Sequence, residues 1–335
     1  MNVNKQVFDN KTVLITGGTG SFGHAFVEKI TSCYNPKKVI VFSRDEMKQW
    51  EMAKFYSGNE RVRFFIGDVR DRDRLYRAFR GVDTVIHAAA TKIVPTAEYN
   101  PFECIKTNVN GAMNVVDAAI DNGVSDVVAL STDKASSPIN LYGASKLASD
   151  KIFVAANSYS PSESDTKFSV VRYGNVMGSR GSVIPYFLSL GSDALIPITD
   201  PNMTRFMISL NEGMDLVEQA LKTMKGGEIF VKKIPSMHIL DIAAATRPDL
   251  KYKVVGVRPG EKLHEQMIAV EEARETFDCG QHYAIVPQML NAHSWYEHNF
   301  PKVPEGFHYS SNTNDSWMSQ DELKQFINLN REKFL

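Results

Sequence analysis

The sequence predicts an α/β protein, with a doubly wound parallel sheet and a smaller, discontinuous second domain. In its first half, short and continuously apolar runs alternate with longer helical patterns. Strands buried on both faces of a parallel sheet have this uninterrupted apolar character. A glycine-rich turn follows the first of these runs. After residue 175 the alternation loosens into glycine- and proline-containing segments, which indicates the second domain.

The elements follow in chain order. Six runs are predicted strands: Thr12–Thr16, Lys38–Phe42, Val62–Ile66, Asp83–Ala88, Asp126–Leu130 and Phe168–Tyr173. Predicted helices are Asp73–Arg80, Phe102–Asn122, Tyr142–Tyr159 and Glu212–Met224, the last ending at two glycines. A strand near 228–234 is expected to return to the first sheet, and Ser319 to Glu322 reads as a capping box. We therefore expect a first domain over 1–175, including that returning strand, and a second over 176–335.

Composition excludes several classes of protein. The 335 residues include 38 basic and 39 acidic side chains, a net charge of −1 that predicts no nucleic-acid partner. No stretch reaches the roughly 18 apolar residues of a membrane span, and the N-terminus has no signal-peptide core, so we expect no membrane insertion and a cytoplasmic location. The three cysteines (Cys33, Cys104 and Cys279) lie far apart, which predicts neither disulfides nor a metal site.

The first strand runs into the turn Thr16-Gly-Gly-Thr-Gly-Ser-Phe-Gly23. Glycines allow a backbone to approach a pyrophosphate closely, and the following helix supplies N–H donors. A flexible turn is the alternative, but the position between a buried strand and a helix favours dinucleotide binding. The predicted contacts here are Gly17, Thr19, Gly20, Ser21, Phe22 and Gly23.

The end of the second strand bears on which dinucleotide binds. An acid there holds the ribose hydroxyl of NAD, whereas an arginine accommodates the extra phosphate of NADP. Arg44, with Ser43 as a hydrogen-bond donor, favours NADP, and Asp45 would contact ribose in an NAD site. Further predicted cofactor contacts are Lys48, Asp68, Val69, Ala88, Ala89, Ala90, Lys92 and Asn108.

Tyr142 and Lys146 lie one turn apart on a predicted helix. A nearby ammonium and a nicotinium charge would pull a phenol pKa from about 10 toward neutrality. Such a tyrosine removes a proton from an alcohol as hydride leaves. The spacing alone is weak, since Tyr34 and Lys38 share it across a proline. The position of Tyr142 after a strand of the predicted sheet favours catalysis by it and Lys146.

Thr132, Asp133 and Lys134 follow the apolar run of the fifth strand. An exposed ion pair is one interpretation. The other is an elimination: after C-4 of a sugar is oxidised to a ketone, the C-5 proton is acidic and a protonated C-6 hydroxyl can leave. This chemistry needs one acid and one base, which Asp133 and Lys134 could supply.

Many ordered blocks accompany these residues: Phe65–Asp71, Val94–Asn108, Ser131–Lys134, Pro138–Gly143, Arg172–Val176, Gly178–Val183, Met203–Phe206 and Arg258–Glu265. Together they resemble the extended short-chain dehydrogenase/reductases that act on nucleotide sugars. Among these, the similarity is to the inverting UDP-N-acetylglucosamine (UDP-GlcNAc) 4,6-dehydratases of pseudaminic acid biosynthesis. The resemblance covers nearly the whole chain and implies a Rossmann fold, NADP, and a homo-oligomer. It also implies conversion of UDP-GlcNAc to a 4-keto-6-deoxy sugar inverted at C-5.

The resemblance also implies roles for the catalytic residues. Tyr142 and Lys146 match the redox pair, and Thr132 would bind near O-4. Lys134 matches the residue of C-5 proton transfer, and Asp133, together with Tyr142, would protonate the departing hydroxyl. Related retaining dehydratases carry Asp-Glu at 133–134, and a lysine could therefore act on a different face of C-5. The sequence departs from the family at Thr91, at Ile93 and in a short segment over 191–195.

The second domain is expected to bind the substrate. Arg205 and Arg258 suit its diphosphate, because guanidinium forks match phosphate oxygens; each could instead form an ordinary ion pair. Glu261 would hold ribose. The remaining predicted substrate contacts are Lys92, Thr132, Asn175, Arg180 and Ser182. Ser310–Thr313 resembles a family segment near the nucleotide. The alternatives are a UDP-hexose 4-epimerase, which would not use Asp133 and Lys134, and a non-catalytic NADP-binding regulator.

Overall fold

The computed structural model describes residues 7–159, 166–179 and 181–334. The strands of this part are β1 (Thr12–Thr16), β2 (Lys38–Ser43), β3 (Val62–Ile66), β4 (Thr84–His87), β5 (Asp126–Thr132), β6 (Lys167–Tyr173), β7 (Asn175–Val176), β8 (Ile196–Ile198), β9 (Thr204–Ile208), β10 (Ile229–Lys232), β11 (Ser236–His238), β12 (Tyr252–Val254), β13 (Gln266–Ile268), β14 (Thr276–Asp278), β15 (His282–Ile285) and β16 (Tyr309–Ser310). The helices are α1 (Ser21–Cys33), α2 (Glu46–Phe55), α3 (Arg72–Ala78), α4 (Val94–Tyr99), α5 (Pro101–Ile105), α6 (Gly111–Asp121), α7 (Leu141–Ala156), α8 (Val183–Leu188), α9 (Leu210–Thr223), α10 (Ile239–Thr246), α11 (Asn291–Asn299) and α12 (Gln320–Phe334).

The central sheet contains nine of the described strands in the order β14-β15-β10-β6-β5-β4-β1-β2-β3. Every pair from β10 to β3 is parallel, and β15 and β14 add an antiparallel edge. All residues of β1 are buried, as the unbroken apolar run predicted. The predicted doubly wound α/β fold is confirmed. Successive strands are added on one side of β1 up to β3 and on its other side from β4 onward, and ligands of such sheets bind beyond the strands' carboxyl ends at that change.

One predicted helix is interrupted. The pattern over Phe102–Asn122 predicted a continuous helix, whereas the structure has α5, a single π-helical stretch over Lys106–Asn110, and then α6. That prediction was wrong in detail, because the buried Asn108 side chain bonds Thr91 and Ser145 instead of following the helix surface. Such π-bulges occur frequently at functional sites.

The chain beyond residue 175 divides between two layers. β10, β14 and β15 extend the central sheet. α9, β13 and β16 pack against the main core, which includes Met214 and Met267. α8, α10, α12 and the strands beside them pack around a second apolar cluster, with Phe187, Met237 and Leu323 among its buried side chains. The segments after residue 175 that lie outside the central sheet are called the second lobe. Ser319 begins α12 by exchanging hydrogen bonds with Glu322, as its sequence indicated. The second lobe packs against the carboxyl ends of β5 and β6. Its strand β13 contacts the turn at 133–135, and its Lys262 ammonium donates to the Ser136 carbonyl.

Candidate active site

The glycine turn after β1 has the shape that a pyrophosphate needs. Gly17 has φ 65°, and a Cβ there would lie 2.8 Å from Ala89 Cα, so no other residue fits without displacing backbone. Gly20 begins α1 without a side-chain cap, which leaves the first N–H groups of the helix available to an anion. Ser21, Phe22 and the buried Gly23 form its first turn. These residues fit a dinucleotide.

After β2, the Arg44 side chain is exposed to solvent, whereas the Asp45 side chain is bound within its own helix. The Arg44 side chain is 65% exposed and lies 3.8 Å from Asp68, the closest carboxylate to it. Asp45 caps α2 by accepting the N–H of Lys48 at 3.0 Å and also pairs with the Lys48 ammonium at 3.2 Å. Asp45 and Lys48, both predicted cofactor contacts, are therefore engaged with each other. Thr19 and Ser43 join the two turns through a hydroxyl–hydroxyl contact of 2.8 Å.

The loop after β4 lies against the glycine turn. Ala88 and Ala89 donate to the backbone and side chain of Thr16 at 3.2 and 3.3 Å. Ala90 and Lys92 continue this loop at the surface, while Val69 is buried against α6. Asn108 was predicted to contact cofactor directly. Its amide forms hydrogen bonds with Thr91 of the loop and Ser145 of α7 and so holds these segments together, and its cofactor contact stays a prediction.

Asn140 and Gly143 fix where α7 begins and how closely it approaches the turn after β5. Asn140 caps the helix by accepting the Gly143 N–H at 2.7 Å, and its amide donates to Gly260 of the second lobe at 2.7 Å. Gly143 lies so close to the Lys134 carbonyl oxygen that a Cβ would overlap it. The helix can therefore approach the 133–135 turn only with glycine here. This approach brings Tyr142 beside the end of β5.

Tyr142 and Lys146 are both buried on α7. Burial raises the pKa of Tyr142 to about 12, against the opposing effects of the Lys134 ammonium and a hydrogen bond with Thr132. We expected a nearby ammonium and the cofactor charge to bring this pKa toward neutrality; among the protein's own groups, burial outweighs the ammonium. Burial lowers the pKa of Lys146, and Asp150, one turn further along, acts in the opposite direction.

Thr132, Asp133 and Lys134 form one hydrogen-bonded unit rather than a solvated loop. The Thr132 hydroxyl donates to Asp133 Oδ1 at 2.8 Å, and the Lys134 ammonium donates to the same oxygen at 3.0 Å. Asp133 is completely buried. Burial alone would lower the pKa of the Lys134 ammonium, but the carboxylates of Asp133 and Glu265 raise it above its ordinary value. An acid and an amine are therefore held together beside the tyrosine.

Glu265 is a site residue that sequence reasoning missed. It lies just before β13, and its Oε1 is 3.4 Å from the Lys134 ammonium and 3.8 Å from Arg205 Nε. Asn175, a predicted sugar contact, accepts a hydrogen bond from the same ammonium at 3.4 Å. The only sequence signal for Glu265 is its place at the end of the block Arg258–Glu265.

A buried ion-pair network supports α7 from behind. Asp150 accepts a hydrogen bond from Ser131 at 2.8 Å and lies 3.5 Å from Arg172. Arg172 is fully buried and donates to both oxygens of Glu272 at 3.0–3.1 Å and to the Met267 carbonyl at 2.8 Å. The network joins α7, β6 and the second lobe. Its charged residues lie far apart in the sequence, so their pairing could not be predicted from it.

The predicted substrate residues divide between exposed and internal positions. Arg258 has a side chain that is 67% exposed and pairs through two nitrogens with Glu261. Arg205 is buried, and its guanidinium donates to the carbonyls of residues 204, 262 and 263. Its predicted phosphate contact stays a prediction. The Ser182 hydroxyl is buried without a partner in the described part, and Arg180 lies outside the described residues.

Among the described residues, no group of three or more His, Cys, Asp or Glu side chains could hold a metal ion. No helix in the same part of the chain has the length and apolar character to cross a membrane.

Comparison with known proteins assigns the chain to a family. The sequence model of the family described as polysaccharide biosynthesis protein matches residues 13–287. The chain belongs to this family. It is 52% identical to the UDP-N-acetylglucosamine 4,6-dehydratase (inverting) of Campylobacter jejuni strain 81-176, over 96% of this chain and 98% of that protein. It is also 41% identical to a UDP-glucose 4-epimerase of Rickettsia felis, over 96% of both chains. The predicted kinship with the dehydratases is confirmed.

Solved structures agree with the fold. The X-ray structure of Pen from Bacillus thuringiensis has a TM-score of 0.87 and 37% identity, covering 97% of this chain and 99% of that one. DesIV from Streptomyces venezuelae, a dTDP-glucose 4,6-dehydratase solved with NAD and TYD bound, has a TM-score of 0.69 and 24% identity, covering 86% and 97%. At that identity DesIV supports the fold alone.

Proposed function

We propose that this protein is a lyase that converts UDP-GlcNAc to UDP-2-acetamido-2,6-dideoxy-β-L-arabino-hex-4-ulose, with NADP as cofactor. The observation that carries the proposal is the unit of Thr132, Asp133 and Lys134 beside Tyr142. Alcohol oxidation needs only the tyrosine and its lysine, whereas elimination of water also needs an acid and a base. The 52% identical relative is named for this inverting dehydration.

The chain's own residues divide the proton transfers. Tyr142 takes the proton of the C-4 hydroxyl, and Lys146 and Thr132 orient it. Asp133 protonates the C-6 hydroxyl as it leaves, and Lys134 takes part in proton transfer at C-5. When bound, the dinucleotide supplies the acceptor of the C-4 hydride and its return to C-6. The burial of Asp133 and Tyr142 keeps water from these transfers.

NADP is proposed over NAD because of the charges at the end of β2. Arg44 is exposed, and among the described residues its one ion pair is with Asp68 at 3.8 Å, so a phosphate can displace that contact. Asp45, the acid that could hold the ribose hydroxyl of NAD, is engaged as the cap of α2. Fluorescence titration should therefore give a lower Kd for NADPH than for NADH, and equal values would argue against this choice.

Proton NMR of the protein with UDP-GlcNAc and trace NADP⁺ in deuterated water tests the reaction. A new 6-methyl signal, deuterium at C-5 and L-arabino couplings are expected. A methyl signal with retained C-5 configuration would support the elimination and refute inversion.

We propose further that the product enters pseudaminic acid synthesis, because the ordered sequence blocks resemble those of the enzymes of that route. Coupled conversion of the product by the following enzymes of the route would test this proposal.

A 4-epimerase is the second candidate, because a relative at 41% identity carries that name. It would use Tyr142 and Lys146 but would have no role for Asp133 and Lys134 as acid and base. A UDP-GalNAc spectrum without a methyl signal would establish it. Tight NADPH binding with no turnover of any UDP-sugar would instead favour the non-catalytic regulator.

We also propose a homo-oligomer. Large apolar side chains stand exposed on and beside α4 and α5, with Tyr99 at 89% and Phe102 at 79% exposure. An apolar surface of this kind marks protein contacts. Light scattering should give a mass that is a multiple of 37.5 kDa, and Phe102→Glu should reduce it; a monomeric mass would refute the proposal. A cytoplasmic location stays a prediction.

A further inference from the structure

Three oxygen atoms surround the Lys134 ammonium. Asp133 Oδ1 lies 3.0 Å from Nζ, and Asn175 Oδ1 and Glu265 Oε1 each lie 3.4 Å from it. A lysine ammonium carries three protons, whereas a neutral amine has two and a lone pair that repels a facing oxygen. Two hydrogen-bond acceptors and a further carboxylate oxygen around one nitrogen match the charged form, and the two carboxylates stabilise it further.

Glu265 is brought to this nitrogen by the second lobe. Its N–H donates to Ser311 Oγ at 2.9 Å, and its carbonyl accepts the Ser311 N–H at 2.8 Å. The pairing of β13 with β16 continues this connection. The segment Ser310–Thr313, whose role the sequence left open, thus fixes the backbone that carries the carboxylate. The side chain of Glu265 is 3% exposed, so its direction toward Lys134 is set by packing.

Two carboxylate oxygens in this cluster have no hydrogen-bond partner among the described residues: Glu265 Oε2 and Asp133 Oδ2, both buried. Buried acceptors without partners are costly, so both oxygens are free to accept a proton or a ligand's hydrogen bond. Both belong to carboxylates that share the Lys134 ammonium. The other charged groups near that ammonium are Arg205 and Lys262, and Tyr142 is the neighbouring phenol.

We propose that Glu265 is a positioning residue that fixes Lys134 as an ammonium ion, so that Lys134 gives C-5 its final proton and does not take the first one. The inference rests on the proposed function. The Asp133 carboxylate then breaks the C-5–H bond and passes that proton to the C-6 hydroxyl, which leaves as water. After hydride returns to C-6, an N–H bond of Lys134 breaks as the new C-5–H bond forms.

The protons balance over this sequence. Lys134 ends as a neutral amine and recovers a proton from Tyr142, which had taken one from the C-4 hydroxyl.

The test replaces the charge of Glu265 and follows Lys134 directly. In protein labelled with [¹³Cε]lysine, the Lys134 signal, assigned with Lys134→Arg, should show no deprotonation below about pH 10. In Glu265→Gln its midpoint should move to lower pH by about one unit or more, since one carboxylate is lost. The alkaline limb of kcat should move with it, and Glu265→Asp should restore part of both shifts.

Matched variants separate this role from a structural one. Glu272→Gln removes a carboxylate of the same lobe that contacts Arg172 and not Lys134, so the Lys134 midpoint should stay in place. In a single turnover, Lys134→Met should still release water from UDP-GlcNAc, because Asp133 removes the first proton. An unshifted Lys134 midpoint in Glu265→Gln, or no water release in Lys134→Met, would overturn the proposal. Absence of the 6-methyl product in the native protein would refute the proposed function, while the NMR titration requires no turnover.

Discussion

Replacing Gly143 by alanine tests the geometry of the site with a single methyl group. A Cβ at this position would overlap the Lys134 carbonyl oxygen and lie 3.0 Å from Pro138 Cβ. One obstacle is backbone and the other belongs to a proline ring, so neither can be relieved by a change of side-chain rotamer. The start of α7, with Tyr142, must move away from the turn that carries Lys134.

The magnitude follows from two opposed effects. Alanine in a helix is favoured over glycine by about 0.5–1 kcal/mol, and overpacking costs about 1–3 kcal/mol. The free energy of unfolding of Gly143→Ala should therefore fall by about 1–2 kcal/mol. Relieving the overlap needs a movement of about 1 Å, and a misplacement of this size near reacting groups costs about 10²-fold in rate.

Gly213→Ala is the matched control, since it adds the same methyl group to α9, where the closest atoms are Tyr173 ring carbons at 4.0 Å. It should leave kcat unchanged and raise stability by up to about 1 kcal/mol. Urea unfolding gives the stability of both variants, and formation of the 6-methyl product gives kcat. A Gly143→Ala protein that keeps kcat within about threefold of the native value would refute the link between the position of α7 and activity.

Three further predictions follow. Arg172→Met should lower the free energy of unfolding by about 3–5 kcal/mol in urea, because Asp150 and Glu272 lose their buried cation; a loss below about 1 kcal/mol would contradict it. Arg44→Ala should raise the Kd for NADPH about tenfold or more and change that for NADH little, as fluorescence titration would show. His87 should remain neutral from pH 5 to 8 in its NMR titration, since burial lowers its pKa to about 3. Its folded pKa lies below the unfolded value of about 6.5, so stability falls as pH drops from about 6.5 toward 3, and His87→Gln should reduce that slope.

Local sequence pattern predicted the strands well. β1 and β3 have the predicted bounds, and β5 extends two residues further than its apolar run, to Thr132. Burial on both faces of a parallel sheet requires apolar side chains at every position, which explains the prediction of β1; β3 lies at the edge of the sheet and is only partly buried. The π-helical stretch over Lys106–Asn110 could not be predicted from the sequence, because it depends on a hydrogen bond between Asn108 and Ser145 that joins two separate helices.

The site was predictable to the extent that its residues are neighbours in the chain. Tyr142 and Lys146 are one helical turn apart, and Asp133 and Lys134 are consecutive, so spacing placed each pair. Glu265 and Asn175 meet the same ammonium from other segments, and no spacing connects them to it. Arg205 was predicted from its residue type alone, and only the folded chain brings it to the carbonyls of residues 262 and 263 and to Glu265.

Sequence by itself thus determined the sheet, the glycine turn and the helix that carries Tyr142, because hydrophobic period, glycine conformation and helical spacing act over a few residues. Tertiary structure alone decided which charges become buried together. The pKa of Tyr142 is raised and that of Lys134 is held high because burial and facing carboxylates act through space. These distances exist only after the second lobe has packed onto the carboxyl ends of β5 and β6.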